Sequence, residues 1–174
     1  MTTFVLGGGC FWCLDAVYRD IKGVVNVTTG YAGGDSEPTY YQVASGSTKH
    51  AEVVEVRFDE TIIPADIILD IYFLVHDPTT LNQQGADIGP QYRSVMFYKD
   101  ANQQEVFKGA AIRAAKIWSA PIITEVQQLT VFYPASQEHQ NFFNNNPESG
   151  YCSIVIIPKI LKARSAYKEW IRED

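Results

Sequence analysis

Cys10 follows three glycines and opens an apolar helical pattern in GGGCFWC. Unsatisfied backbone N–H groups and the positive end of a helix macrodipole would face its thiol there, which favours a thiolate and predicts an acidified, nucleophilic cysteine. A buried structural thiol is the plain alternative. Phe11 and Trp12 come next, two large rings that either join the core or wall an apolar pocket beside the sulfur. Cys13 completes a C-x-x-C spacing, which also serves thioredoxin-type dithiols and half of a zinc site. Zinc would need two more ligands, Cys152 with His139 or His50, and no second C-x-x-C or H-x-x-x-H pair accompanies the first.

Glu52 is the second chemical signal. In residues 51–58, Val54, Val56 and Phe58 share one parity and Glu55 and Arg57 the other, the pattern of a half-buried strand, and Glu52 falls on the apolar parity. A carboxylate there is costly, so either its pKa is raised, as suits a general acid, or the strand end opens into a cleft. A strand that begins after Glu52 would leave it merely solvated. Asp87, Tyr92 and Arg93 lie in a long aperiodic segment, and Tyr40 and Tyr41 at a helix start; each alone is as well explained by structure. His76 and His139 read most simply as capping or core-edge residues.

The elements that must position these residues alternate along the chain. Strand patterns occupy residues 3–6, 24–31, 51–58, 94–98 and 124–133; helical patterns occupy 11–22, 39–44, 64–75, 102–118 and 137–143. Residues 77–93 show no periodicity, yet their Tyr, Leu and Ile argue for an ordered loop of functional use. A turn-rich NNNPESG precedes a short apolar run, 152–157, and a basic amphipathic tail from Lys159. This alternation predicts an α/β or α+β domain of five or six strands with helices packed on the sheet.

The 174 residues predict one domain, 1–174, with no visible linker or repeat. A net charge of -6 disfavours nucleic acid and anionic lipid as partners. The longest apolar run, 67–75, is broken by Asp70 and too short to span a bilayer. The N-terminus has no basic n-region, so its residues are expected in the folded domain and the location is expected to be cytoplasmic. Three cysteines in such a chain are expected to be reactive, metal-binding or inert rather than a disulfide scaffold.

Taken together, GGGCFWC, GYAGG, PTYYQVASGSTKHAEVVEV, HDPTT, NQQGADIGPQYRS and GYC, in this order over residues 4–157, resemble the A-type peptide methionine sulfoxide reductases. The resemblance implies an α+β fold of two layers, a ferredoxin-like mixed sheet with helices packed on it. It implies reduction of the S epimer of methionine sulfoxide, free or in proteins, with thioredoxin as reductant, no cofactor and no metal, by a monomer. By position, Cys10 resembles the nucleophile and Phe11 and Trp12 the pocket for the substrate methyl. Glu52 resembles the acid that protonates the sulfoxide oxygen, Tyr40, Asp87 and Tyr92 the polar side of that pocket, and Cys152 the resolving cysteine. Cys13 stands where the family often carries Gly and Asp15 where Glu is common. Because Cys13 is close enough in sequence to pair with Cys10, either Cys13 or Cys152 could resolve the oxidised nucleophile. A thioredoxin-like disulfide oxidoreductase using Cys10 and Cys13, a cysteine hydrolase using His139 or His50, and a zinc-stabilised interaction domain are the competing readings.

Overall fold

A computed structural model describes residues 1–173 of the chain. In order, the chain forms β1 (Thr2–Gly7), α1 (Phe11–Arg19), β2 (Val24–Ala32), α2 (Tyr40–Ala44), β3 (Ala51–Phe58) and α3 (Ala65–Val75). The two-residue strands β4 (Gln83–Gln84) and β5 (Asp87–Ile88) follow, then β6 (Val95–Tyr98), α4 (Ala101–Ala115), β7 (Glu125–Gln128), β8 (Phe132–Pro134), α5 (Phe142–Asn145) and α6 (Ile157–Ala166).

The main sheet has the order β7-β6-β1-β3-β2-β8, antiparallel throughout except that β7 runs parallel to β6. Its centre is a βαββαβ unit, β1-α1-β2-β3-α3-β6, with spatial order β6-β1-β3-β2, which is the ferredoxin-like arrangement. Period-2 alternation builds two cores from the same strands. Phe4, Leu6, Val54, Val56 and Phe58 face helices α1, α3 and α4, while Val5, Val53, Val95 and Phe97 form a smaller cluster on the opposite face, under Leu129 and Phe132.

That second cluster exists because the sheet curls. Sequence patterning predicts one strand over 124–133, but the structure has two, β7 and β8, on opposite edges of the sheet. The four steps from Gln128 to Phe132 reach ~14 Å at most, whereas five strand spacings in a flat sheet measure ~24 Å. The edges must therefore bend toward each other. A local alternation signal cannot show this, since both halves of the run look like strand.

Other expectations are corrected in detail. The helix predicted over 11–22 ends at Arg19 with Asp20 as its C-cap; Ile21 pairs instead with Ile171, and Gly23 then turns the chain at φ +86. The helix predicted over 137–143 is broken into a 3₁₀ turn, Gln137–His139, and α5, by Asn141 at φ 51. The apolar run 152–157 is helical: a π-helical turn, Cys152–Ile156, leads into α6. Cys152, Ile156, Ile160 and Ala163 form one buried stripe along it. Residues 77–93 are ordered, as their composition predicts, into the β4–β5 hairpin and a 3₁₀ turn, Pro90–Tyr92. Among the described residues no helix is long and apolar enough to cross a membrane.

Candidate active site

The turn between β1 and α1 is made by glycines that nothing else could replace. Gly9 sits at φ +91, and a Cβ on it would lie 2.6 Å from Gln84 Cγ in the β4–β5 hairpin. The hairpin is held by the same Gln84, whose amide accepts from Asp77 N–H at 2.9 Å and donates to Asp77 C=O at 3.0 Å. Cys10 therefore emerges at the N-cap of α1, with its side chain free of any capping bond.

Glu52 is at the end of β3, opposite Tyr31 of β2, on the helix-facing side and only 2% exposed. Its parity is thus the one that the strand pattern predicts. The backbone N–H of Phe11, the residue after Cys10, donates to Glu52 Oε1 at 3.0 Å, which sets the carboxyl beside the Cys10 thiol. Burial dominates nevertheless and pushes the Glu52 pKa up to about 8, so the group is protonated at neutral pH.

The expected acidification of Cys10 is overturned. Burial, then the hydrogen bond with Cys13 and the nearby Glu52 charge, push its thiol well above the usual range. A helix N-terminus contributes ~0.3–1 kcal/mol, less than one pKa unit, whereas desolvation moves a fully buried group by several. The first free amide of α1 is moreover spent on Glu52. The lowered thiol is Cys13, held down by its hydrogen bond with Cys10, by the Lys159 ammonium and by the Tyr151 hydroxyl.

Cys10 and Cys13 line a cavity of about 590 Å³ bounded by the hairpin (Gln84, Asp87) and by the Cys152–Ile156 turn and its continuation (Tyr151, Val155, Lys159). Tyr151 crosses it: its hydroxyl donates to Asp87 Oδ2 at 2.7 Å and lies 3.7 Å from Cys13 Sγ. Sequence reasoning missed Tyr151, although it stands inside the GYC motif beside Cys152. Tyr31, in GYAGG, was missed too; its hydroxyl is buried with no partner among the described residues, and the Glu52 charge is among the causes that raise its pKa.

The structure brings Cys10, Cys13, Glu52 and Asp87 together. Tyr40 and Tyr92 lie near the same group: burial first, and then the charges of Glu52, Cys10 and Asp87, raise the pKa of both hydroxyls. Gln91 of the same 3₁₀ turn as Tyr92 ties that turn to the end of α2 by donating to Ala44 C=O at 3.1 Å, which fixes Tyr92 against the helix that starts at Tyr40. Phe11 is wholly buried, its ring packed on Tyr31 and His139. Trp12 is half-buried and stacks on Phe142 at 3.7 Å between ring centroids. Neither ring lines the 590 Å³ cavity. Cys152 is also buried, on the stripe that faces the core, whereas the next residues toward the cavity are Tyr151, Ile154 and Val155.

The histidines take structural places. His76 Nε2 bonds Ser94 Oγ at 2.7 Å, and burial lowers its pKa to about 3. His139 stacks on Tyr40 at 4.2 Å, and no histidine hydrogen-bonds Cys10 among the described residues, so the hydrolase reading has no base. The same residues contain no group of three or more His, Cys, Asp or Glu side chains able to hold a metal ion.

The raised Glu52 pKa has a stability consequence. Between about pH 4.5 and 8 the folded carboxyl holds a proton that the unfolded one has lost, so this group makes stability fall as pH rises through that window. The slope approaches about 1.4 kcal/mol per pH unit. Glu52→Gln mimics the protonated form and should remove that contribution. Denaturant unfolding of both proteins at pH 5, 6.5 and 8 checks it; parallel curves would show that the carboxyl is ionised in the fold.

Residues 2–171 match the family described as Peptide methionine sulfoxide reductase. A relative named Peptide methionine sulfoxide reductase MsrA, from Arthrobacter sp. (strain FB24), is 55% identical over 172 residues, covering 98% of this chain and 99% of that one. Another of the same name from Pseudarthrobacter chlorophenolicus is 56% identical with the same coverage. Among solved structures, Mxr1 from Saccharomyces cerevisiae in reduced form superposes with TM-score 0.82 at 31% identity, over 85% of this chain and 87% of that one. Methionine sulfoxide reductase A of Corynebacterium diphtheriae gives 0.76 at 33% identity, over 84% and 76%. A buried carboxyl held beside an N-cap thiol suits this agreement along the whole chain, by which the protein belongs to the peptide methionine sulfoxide reductase family.

Proposed function

We propose that this chain, as one catalytic domain, reduces the S epimer of methionine sulfoxide through Cys10, with Glu52 as the acid. The observation that carries the reading is the Cys10 thiol at the N-cap of α1 next to Glu52, a buried carboxyl bonded by the following backbone N–H, that of Phe11. A sulfoxide is a poor electrophile until its oxygen is protonated or strongly hydrogen-bonded. Glu52 gives its proton to that oxygen while the Cys10 sulfur attacks the substrate sulfur, and the Cys10 thiol proton returns to Glu52. Collapse transfers the oxygen to Cys10 and releases the thioether, leaving a sulfenic acid. Tyr40, Tyr92 and Asp87 supply the polar side that orients the oxygen; Trp12, its ring stacked 6.5 Å from Tyr40 and outside the 590 Å³ cavity, supplies the apolar side for the methyl, with Phe11 in the core. Turnover of the two separate sulfoxide epimers with dithiothreitol tests this, and equal rates for both would defeat it.

Recycling begins with the neighbour. The Cys13 thiol, whose pKa is lowered, attacks the Cys10 sulfenic acid and expels water, giving a Cys10–Cys13 disulfide. Cys152 then attacks the Cys13 sulfur and frees the Cys10 thiol by exchange. For this the Cys152–Ile156 turn must rotate its buried thiol outward, and a π-helical turn followed by Pro158 is a weak point in the helix at which to do so. The resulting disulfide is opened by a dithiol protein; Mxr1, whose reduced form shares the fold, is also seen in complex with Trx2, so thioredoxin is the natural reductant. One equivalent of methionine sulfoxide followed by peptide mass mapping should give Cys13–Cys152 in the wild type and Cys10–Cys13 in Cys152→Ser. A Cys10–Cys152 bridge in wild type and Cys13→Ser alike would remove Cys13 from the path.

A further inference from the structure

Tyr151 lines the catalytic cavity between Cys13 and Asp87 and is bound to both. It heads the Cys152–Ile156 turn, and its ring stands edge-on to Trp12 at 5.8 Å between centroids. The hydroxyl donates to Asp87 Oδ2 at 2.7 Å and lies 3.7 Å from Cys13 Sγ. A phenol has a single proton to give. Since that proton is directed at Asp87, the contact with sulfur is made by the Cys13 S–H donating to the phenol oxygen. A chain of hydrogen bonds therefore runs from the Cys13 thiol through the Tyr151 hydroxyl to the Asp87 carboxylate, joining α1, the C-terminal turn and the β4–β5 hairpin.

Among the described residues that face Cys13, the Lys159 ammonium offers no acceptor and Glu52 is already protonated at neutral pH, while Cys10 is the sulfur under attack. Resting on the function and recycling proposed above, we infer that Tyr151 is a catalytic residue of the resolving step, relaying the Cys13 proton to Asp87 as Cys13 attacks the Cys10 sulfenic acid. The Cys13 proton passes to the Tyr151 oxygen while the Tyr151 proton passes to Asp87. The Cys13 sulfur bonds the Cys10 sulfur, and the S–O bond of the sulfenic acid breaks. The departing hydroxyl takes the Glu52 proton and leaves as water. Asp87 ends protonated and Glu52 ends as a carboxylate, and exchange with solvent resets both. The lowered pKa of Cys13 fits this path, because the Tyr151 hydroxyl joins the bond with Cys10 and the Lys159 charge among its causes.

Cys152→Ser, which should stop at the Cys10–Cys13 bridge, is the parent for the test, and adding Tyr151→Phe removes the hydroxyl while keeping the ring. Each protein receives one equivalent of methionine sulfoxide without reductant, and samples quenched with dimedone are mapped by peptide mass for sulfenic acid and disulfide. The parent should pass to disulfide with little sulfenic acid. The double variant should accumulate sulfenic acid and form the disulfide about a hundredfold more slowly, the lower end of what a positioned proton-transfer group contributes. From pH 6 to 7.5, where Glu52 keeps its proton, that slow rate should climb with the thiolate fraction of Cys13, whereas the parent rate stays nearly flat. Iodoacetamide labelling of Cys13 in the reduced proteins, read without any sulfoxide, should move to higher pH with Tyr151→Phe. Parental disulfide kinetics in the double variant, an unshifted labelling profile, or no Cys10–Cys13 bridge in Cys152→Ser overturns the relay. If the wild type reduces no sulfoxide, the catalytic reading fails instead, and the labelling profile still decides whether the hydroxyl governs Cys13.

Discussion

Cys10→Ser should abolish sulfoxide reduction even with excess dithiothreitol, a loss of several orders of magnitude. The reaction needs a sulfur nucleophile that can accept oxygen and return it as water through a sulfenic acid. A serine hydroxyl in the same N-cap position is a far weaker nucleophile toward sulfur and has no such oxidation step. Stability should change little, because Ser is a preferred N-cap residue. The measurement is single-turnover loss of methionine sulfoxide with equimolar enzyme, which removes recycling from consideration. Residual product above a few per cent of the wild-type amount would place the nucleophile on Cys13.

Glu52→Gln carries the second-largest effect, about 10²–10⁴-fold on the sulfoxide step, the usual worth of a positioned acid. The amide keeps the shape and can still accept from Phe11 N–H, so the fold around Cys10 is preserved while the transferable proton is lost. The pH profile supplies a sharper reading. With a pKa of about 8, Glu52 is a proton donor below that value and an inert carboxylate above it. Sulfenic acid formation by the wild type should therefore fall off above about pH 8, although the Cys10 thiol ionises more readily there. In Glu52→Gln that falling limb should vanish and the remaining slow rate should rise with pH. Stopped-flow trapping of the sulfenic acid from pH 6 to 10 checks both, and a falling limb retained in the variant would assign it to another group.

Several local facts about this protein were legible in its residues alone. The strand at 51–58 and the buried parity of Glu52 follow from alternation over eight positions, and the α3 stripe from spacings of three and four. The N-cap position of Cys10 follows from GGGC preceding a helical pattern. The family resemblance rested on six motifs and carried the fold class and the reaction with it. All of these are short-range signals, in which neighbours along the chain are neighbours in space.

What the tertiary structure decided involves contacts between residues far apart in sequence. The thiol pKa order, Cys10 up and Cys13 down, comes from burial under β3 and α6 and from Lys159 and Tyr151, none of which a helix-dipole argument at one end of α1 contains. The split of residues 124–133 between opposite sheet edges depends on the curl of the whole sheet. The inward aim of Cys152 depends on which face of its helix the core takes. Burial is a property of the assembled protein, and for ionisable and redox-active side chains burial is the larger energy.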